Sequence, residues 1–224
     1  MNKTDLFELS LKMILELKQE IIKSEVYDCG PRLDLAEQCI YISFEHGIAV
    51  NTLLTTELAT QAMILLRAQF EAVVRAYWIL FIASNEQVAQ LTFSYTFEEQ
   101  FEKDEFISVT KMLSALESAN LPAKPTIEHL SAFKKYHLKQ LNSFVHTGKQ
   151  SFTRDVMGYA EDMLLIMMKQ SNNLITTAAQ LMLKHTVPDK QKFIHHMIDK
   201  YRECFYLDQD VDESLRRRVE GYFK

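Results

Sequence analysis

Apolar residues recur at intervals of three and four along nearly the whole chain, and a stripe of that period leaves little room for any fold but packed helices. Leu6, Leu9, Met13, Leu17 and Ile21 set the pattern in a first helix from Thr4 to about Ser24. Glycine and proline, the punctuation of turn-rich sheet proteins, number only five and four in 224 residues. Between them lie mostly strong helix formers. The sequence therefore reads as all-α: a single helical bundle of about seven to eight helices. Its core is expected over about residues 1–186, with a small C-terminal helical annex over about 187–224.

The few breakers place the helices. Tyr27-Asp28-Cys29-Gly30-Pro31 is a turn, because glycine permits positive φ and proline fits a first helical turn but not an interior one. A second helix is expected from Leu33 to Val50. Capping residues over Asn51 to Thr56 then lead into a third, Glu57 to Ala83, apolar almost all round and so central. Asn85 is the expected cap of a fourth, Glu86 to about Ser118, in which Phe93, Tyr95, Phe97, Phe101 and Phe106 alternate with Glu98, Glu99, Glu102, Asp104 and Glu105. A loop with Pro122 and Pro125 precedes a fifth helix, Ile127 to Val145, ended by Gly148. The sixth is expected from Asp155 to Lys184, stopped by Pro188, and two shorter ones from Asp189 to Phe205 and Val211 to Tyr222. No repeat of about 20 to 50 residues is visible, which argues against a solenoid.

Charge and special residues exclude several classes. A formal net charge of −5 gives the whole molecule no long-range pull on nucleic acid or anionic lipid, although a local patch can still have one. The most apolar stretch, Leu65 to Ser84, is interrupted by Arg67, Glu71 and Arg75, so it lacks the roughly 18 uncharged residues of a spanning helix. The first helix carries Asp5, Glu8, Lys12, Glu16 and Lys18, which is no secretion signal. Cys29, Cys39 and Cys204 show no paired spacing and read as reduced thiols of a cytoplasmic protein. No metal or other cofactor is expected. Asp208 to Glu213 opens like a calcium loop but has Glu213 where the turn needs glycine and Val219 where it needs glutamate, and His195-His196 point to different faces.

Two constellations could carry chemistry. Arg67, Glu71 and Arg75 stand four apart in one stripe of the third helix, cation, anion, cation. They read either as an intrahelical salt-bridge ladder or as a site where an arginine binds phosphate or carboxylate in bidentate fashion. The second is Leu141-Asn142-Ser143-Phe144-Val145-His146-Thr147-Gly148-Lys149, where Asn142 and His146 share a face at the end of the fifth helix. His146 is either a C-terminal capping residue or a group placed for proton transfer. Between Glu128 and Asp155 there is no acid, while Lys134, Lys135, Lys139, Lys149 and Arg154 accompany His129, His137 and His146. That segment would either attract a phosphate or face the acidic fourth helix.

The string from Leu66 through Trp78, with Arg67, Glu71 and Arg75 inside it, followed by Leu141 to Gly148, resembles an uncharacterised family of bacterial helical proteins that is itself similar to the HEPN superfamily. The resemblance spans roughly Leu65 to Met168. It implies a metal-independent ribonuclease site built where two protomers of a homodimer meet, from an arginine, a polar residue directly after it and a histidine four residues further on. Asn142 matches the polar position and His146 the histidine, and both are the catalytic candidates. Leu141 occupies the arginine position, which puts cleavage in question and leaves Arg67, Arg75, Lys139 or Lys149 to hold phosphate, with Glu71 and Ser143 as orienting groups.

The expected function is that of a HEPN-like protein of a toxin–antitoxin or antiphage defence system, binding RNA or nucleotide phosphate, as an active or a degenerate endoribonuclease. One alternative is a non-catalytic antitoxin or immunity protein whose partner is a cognate toxin, drawn to the acidic, aromatic fourth helix. Another is a helical regulator binding a small ligand on the Arg67, Glu71, Arg75 stripe. No membrane partner is expected.

Overall fold

The computed structural model describes residues 3–24, 30–92, 107–186 and 190–206, and among them every regular element is helical. Four long helices carry the bundle, α1 (Lys3–Lys23), α2 (Pro31–Thr55), α3 (Ala59–Phe81) and, later in the chain, α9 (Glu161–Thr186). The shorter ones are α4 (Asn85–Leu91), α5 (Val109–Ser118), α6 (Lys124–Phe133), α7 (Lys139–Val145), α8 (Lys149–Met157) and α10 (Gln191–Lys200). Cys29, the aromatic and acidic stretch from Phe93 to Phe106, Pro188, the Asp208–Glu213 motif and the expected last helix lie outside the described residues.

The turn at Gly30-Pro31 forms as its chemistry dictates. Gly30 caps α2 at φ 81°, a left-handed value that favours glycine, and Pro31 opens the helix. The apolar face of α1 buries Leu6, Met13, Ile14, Leu17 and Ile21. Central α3 is held by α2 along most of its length and by α5, α7 and α9 on its other sides. Where α2, α3 and α9 cross, Gly47 permits the approach, since a Cβ there would run into Ile175 Cδ1.

Several polar side chains buried in this core are paired across helices, while the buried Ser43 and Thr176 hydroxyls have no partner among the described residues. Asn51 Nδ2 donates to Ser10 Oγ at 2.5 Å, and Asn172 Nδ2 donates to Ser10 Oγ at 2.8 Å and to the Cys204 carbonyl at 2.9 Å. That network joins α1, α2 and α9 to the segment after α10. Gln69 and Ser171 form a second reciprocal pair, α3 to α9. Lys200 and the buried Tyr201 both bond Glu16 of α1.

Several boundaries differ from those expected, each for a local reason. Asn51 is no cap: α2 continues to Thr55 because Asn51 is spent on the buried network. Ser84, not Asn85, caps α4, through a capping box with Gln87, while Asn85 Oδ1 accepts from Arg32. The expected fifth helix starts earlier, at Lys124, and contains one π turn, Lys134–Leu138, between α6 and α7. The expected sixth helix is two. Gly158, at φ 70°, separates α8 from α9. Gly148 does not end α7 in the left-handed state; Thr147 does, at φ 50°, and Gly148 begins α8.

Candidate functional site

α3 and α7 pack side by side, and their packing brings together residues 75 positions apart in sequence. Arg67 Nε donates to Asn142 Oδ1 at 2.6 Å, and Arg67 Nη1 donates to Glu71 one turn along α3. Because Nε can only donate, it fixes the Asn142 amide with its oxygen toward α3. Both members of the ion pair are half-buried. Two side chains therefore use up only part of what Arg67 offers. Among the described residues, Arg67 Nη2 and Asn142 Nδ2 have no protein acceptor.

The position assigned to arginine by the HEPN resemblance faces the other way. Leu141 is 1 % exposed and belongs to the core with Leu138 and Phe144. The guanidinium beside Asn142 comes instead from α3. One turn beyond Asn142, the backbone N–H of His146 donates to the Asn142 carbonyl at 3.1 Å, while the His146 side chain is exposed. Its imidazole takes no part in capping α7 among the described residues.

The remaining expected site residues divide. Lys139 and Lys149 are exposed on α7 and at the start of α8. Arg75 lies two turns along α3 from Arg67 and acts elsewhere: its charge reaches Cys39 of α2, whose thiol burial nevertheless pushes up to about 11. Ser143, expected as an orienting group, faces the start of α8. Its hydroxyl accepts the Gln150 backbone N–H at 3.1 Å and so caps α8, with Gly148 so close that a Cβ would sit 2.6 Å from that oxygen. His137, one of the three histidines of the basic segment, adds no charge near neutrality. It is buried in the π turn against Phe133, with ring centroids 4.9 Å apart, and burial lowers its pKa to about 4.

Two features of this end, the unburied α8 and the Tyr136 ring, were not among the expected site residues. α8 buries none of its residues, and Phe152 and Val156 are 63 % and 84 % exposed. The signal was present in the sequence, where Phe152 and Val156 stand one helical turn apart, with Met157 next to Val156, in an otherwise polar segment. Lys135 and Lys139 flank the half-exposed Tyr136, and Lys135 Nζ stands 5.2 Å from its ring centroid. No group of three or more His, Cys, Asp or Glu among the described residues is placed to hold a metal, and none of the described helices is long and apolar enough to cross a membrane.

A family model covers residues 40–207, which takes in α3, α7 and α8 with the whole of this arrangement. The chain belongs to DUF6988, a family of unknown function. The DUF6988 match carries no link to the HEPN superfamily. No curated protein and no solved structure matches the chain.

Proposed function

We propose that this DUF6988 protein binds RNA through its backbone phosphates at the end of α7. The observation that carries the reading is the 2.6 Å hydrogen bond from Arg67 Nε to Asn142 Oδ1. It supplies from α3 the cation that the α7 motif lacks at Leu141, and it leaves the Nη2 and Asn142 Nδ2 donors for a phosphate oxygen. The exposed cations Lys135, Lys139 and Lys149, in the acid-free stretch of chain around Asn142, add to the attraction. The π turn at Lys134–Leu138 adds weight, since such turns concentrate at functional sites. His146, one turn from Asn142, is the group to exchange a proton with an RNA 2′-hydroxyl or a leaving oxygen, in a homodimer of the HEPN type.

A second reading, a non-catalytic antitoxin or immunity protein, draws on one observation: the uncovered apolar residues of α8. Exposed apolar patches of this kind suit a protein partner. Incubation of a labelled single-stranded RNA with the protein, in the presence of a chelator, separates the two. Retention of RNA by the wild type, weakened in Arg67→Ala, supports phosphate binding, and cleavage abolished in His146→Ala alone adds catalysis. Absence of any RNA retention at low salt leaves the partner-binding reading in its place.

A further inference from the structure

A cleft of about 500 Å³ opens between the start of α1, the α2–α3 turn and the start of α9. Its size lies within the range of about 300–1,000 Å³ usual for small-molecule sites. The floor is apolar, with Phe7 and Leu54 both buried in the core. One wall is the Tyr159 ring, fixed by a 2.7 Å hydrogen bond between its hydroxyl and Thr60 Oγ1. Lys3 and Glu57 bring the charges to the lining.

Glu57 occupies an unusual seat. α2 ends at Thr55, and the Thr56 and Leu58 N–H groups both return to the Leu53 carbonyl, each at 3.2 Å. That way of closing a helix needs a left-handed residue next, a place glycine fills without steric cost. Glu57 fills it at φ 60°. Its carboxylate has no hydrogen bond or ion pair to any described residue that would explain keeping a side chain there. The other left-handed residue that is not glycine, among those described, is Thr147, beside His146. Strain of this sort gathers at sites of function.

We propose that the cleft binds a small amphiphile bearing a primary ammonium group, with its apolar body on Phe7 and Leu54 and its ammonium on the Glu57 carboxylate. A carboxylate beside an apolar floor offers a charge-assisted hydrogen bond to such a head group. This inference does not depend on RNA binding, because none of its residues belongs to the α7 site.

Calorimetric titration of the full chain with phenethylamine, and with 3-phenylpropionate as a matched anion, tests it. The expected result is saturable binding of phenethylamine in the millimolar range or tighter, weaker binding of phenylpropionate, and a loss of roughly tenfold or more in affinity in Glu57→Gln. Glu57→Gly serves as the second variant. It removes the carboxylate while relieving the backbone, so it is expected to lose phenethylamine with a melting temperature equal to or above that of the wild type. Failure of phenethylamine to bind in the millimolar range, equal binding of the anion, or unchanged affinity in both variants overturns the proposal.

Discussion

The crossing of α1, α2 and α9 and the open end of α7 use the same chemistry, amides and hydroxyls reaching between helices, to opposite effect. In the crossing, Ser10, Asn51 and Asn172 are buried, Ser10 Oγ accepts from both amides, and Asn172 also donates to the Cys204 carbonyl. At the end of α7, Asn142 and Arg67 are half-buried and joined by one bond, with donors left over. A closed network fixes a fold, because any member removed leaves a buried group unpaired. An open one loses little stability when cut and can serve a ligand.

The largest expected effect comes from cutting the closed network. Asn172→Ala removes its bonds to Ser10 and leaves the Cys204 carbonyl without its donor, and is expected to cost about 2–4 kcal/mol in denaturant unfolding, with RNA retention of the folded fraction unchanged. A loss below about 0.5 kcal/mol would erase the distinction between the two regions.

A pH titration of stability sharpens it. His137 is buried as the neutral imidazole with its pKa lowered to about 4, against an ordinary value of 6.5. The unfolded chain therefore binds the proton first as pH falls. The stability from this group is fully present above about pH 6.5 and is lost between there and about pH 4, to the extent of about 2–3 kcal/mol. Glu16, whose carboxyl is held below its ordinary value chiefly by its bond to Lys200, loses its contribution at lower pH still. Urea midpoints measured across this range in the wild type and in His137→Phe check the assignment, since the variant is expected to flatten the upper part of the slope.

Ser143→Ala, which removes the cap on α8, is expected to cost about 1 kcal/mol and to raise amide exchange in α8 ahead of the core. Smallest in stability is Arg67→Ala, below about 1 kcal/mol because the Glu71 pair is partly exposed.

What could be read from the sequence follows the same division. The stripe of α1, the Gly30-Pro31 entry to α2 and the centrality of α3 depend on neighbours three or four residues away, and periodicity reports those directly. The Arg67–Glu71 pair is of the same kind. Competition between similar neighbours is less legible: Ser84 and Asn85 are both good caps, and the choice falls to Ser84 because Arg32, 53 positions from Asn85, takes the Asn85 oxygen. The break at Gly158 was hidden because apolar residues on either side continue a helical stripe. The π turn adds one residue without changing composition. The approach of Arg67 to Asn142 is set by how α3 and α7 pack, which spacing along the chain does not encode.

The most direct test of phosphate binding at Arg67 is the salt dependence of RNA affinity, followed by fluorescence anisotropy, in the wild type and in Arg67→Ala. Wild-type affinity is expected to fall steeply with salt. The Arg67→Ala variant is expected to bind more weakly at every salt concentration, with a slope shallower by about 0.7 because one phosphate fewer is neutralised. Wild-type and variant titrations that superimpose would show that the guanidinium beside Asn142 holds no phosphate, and the central claim would fall.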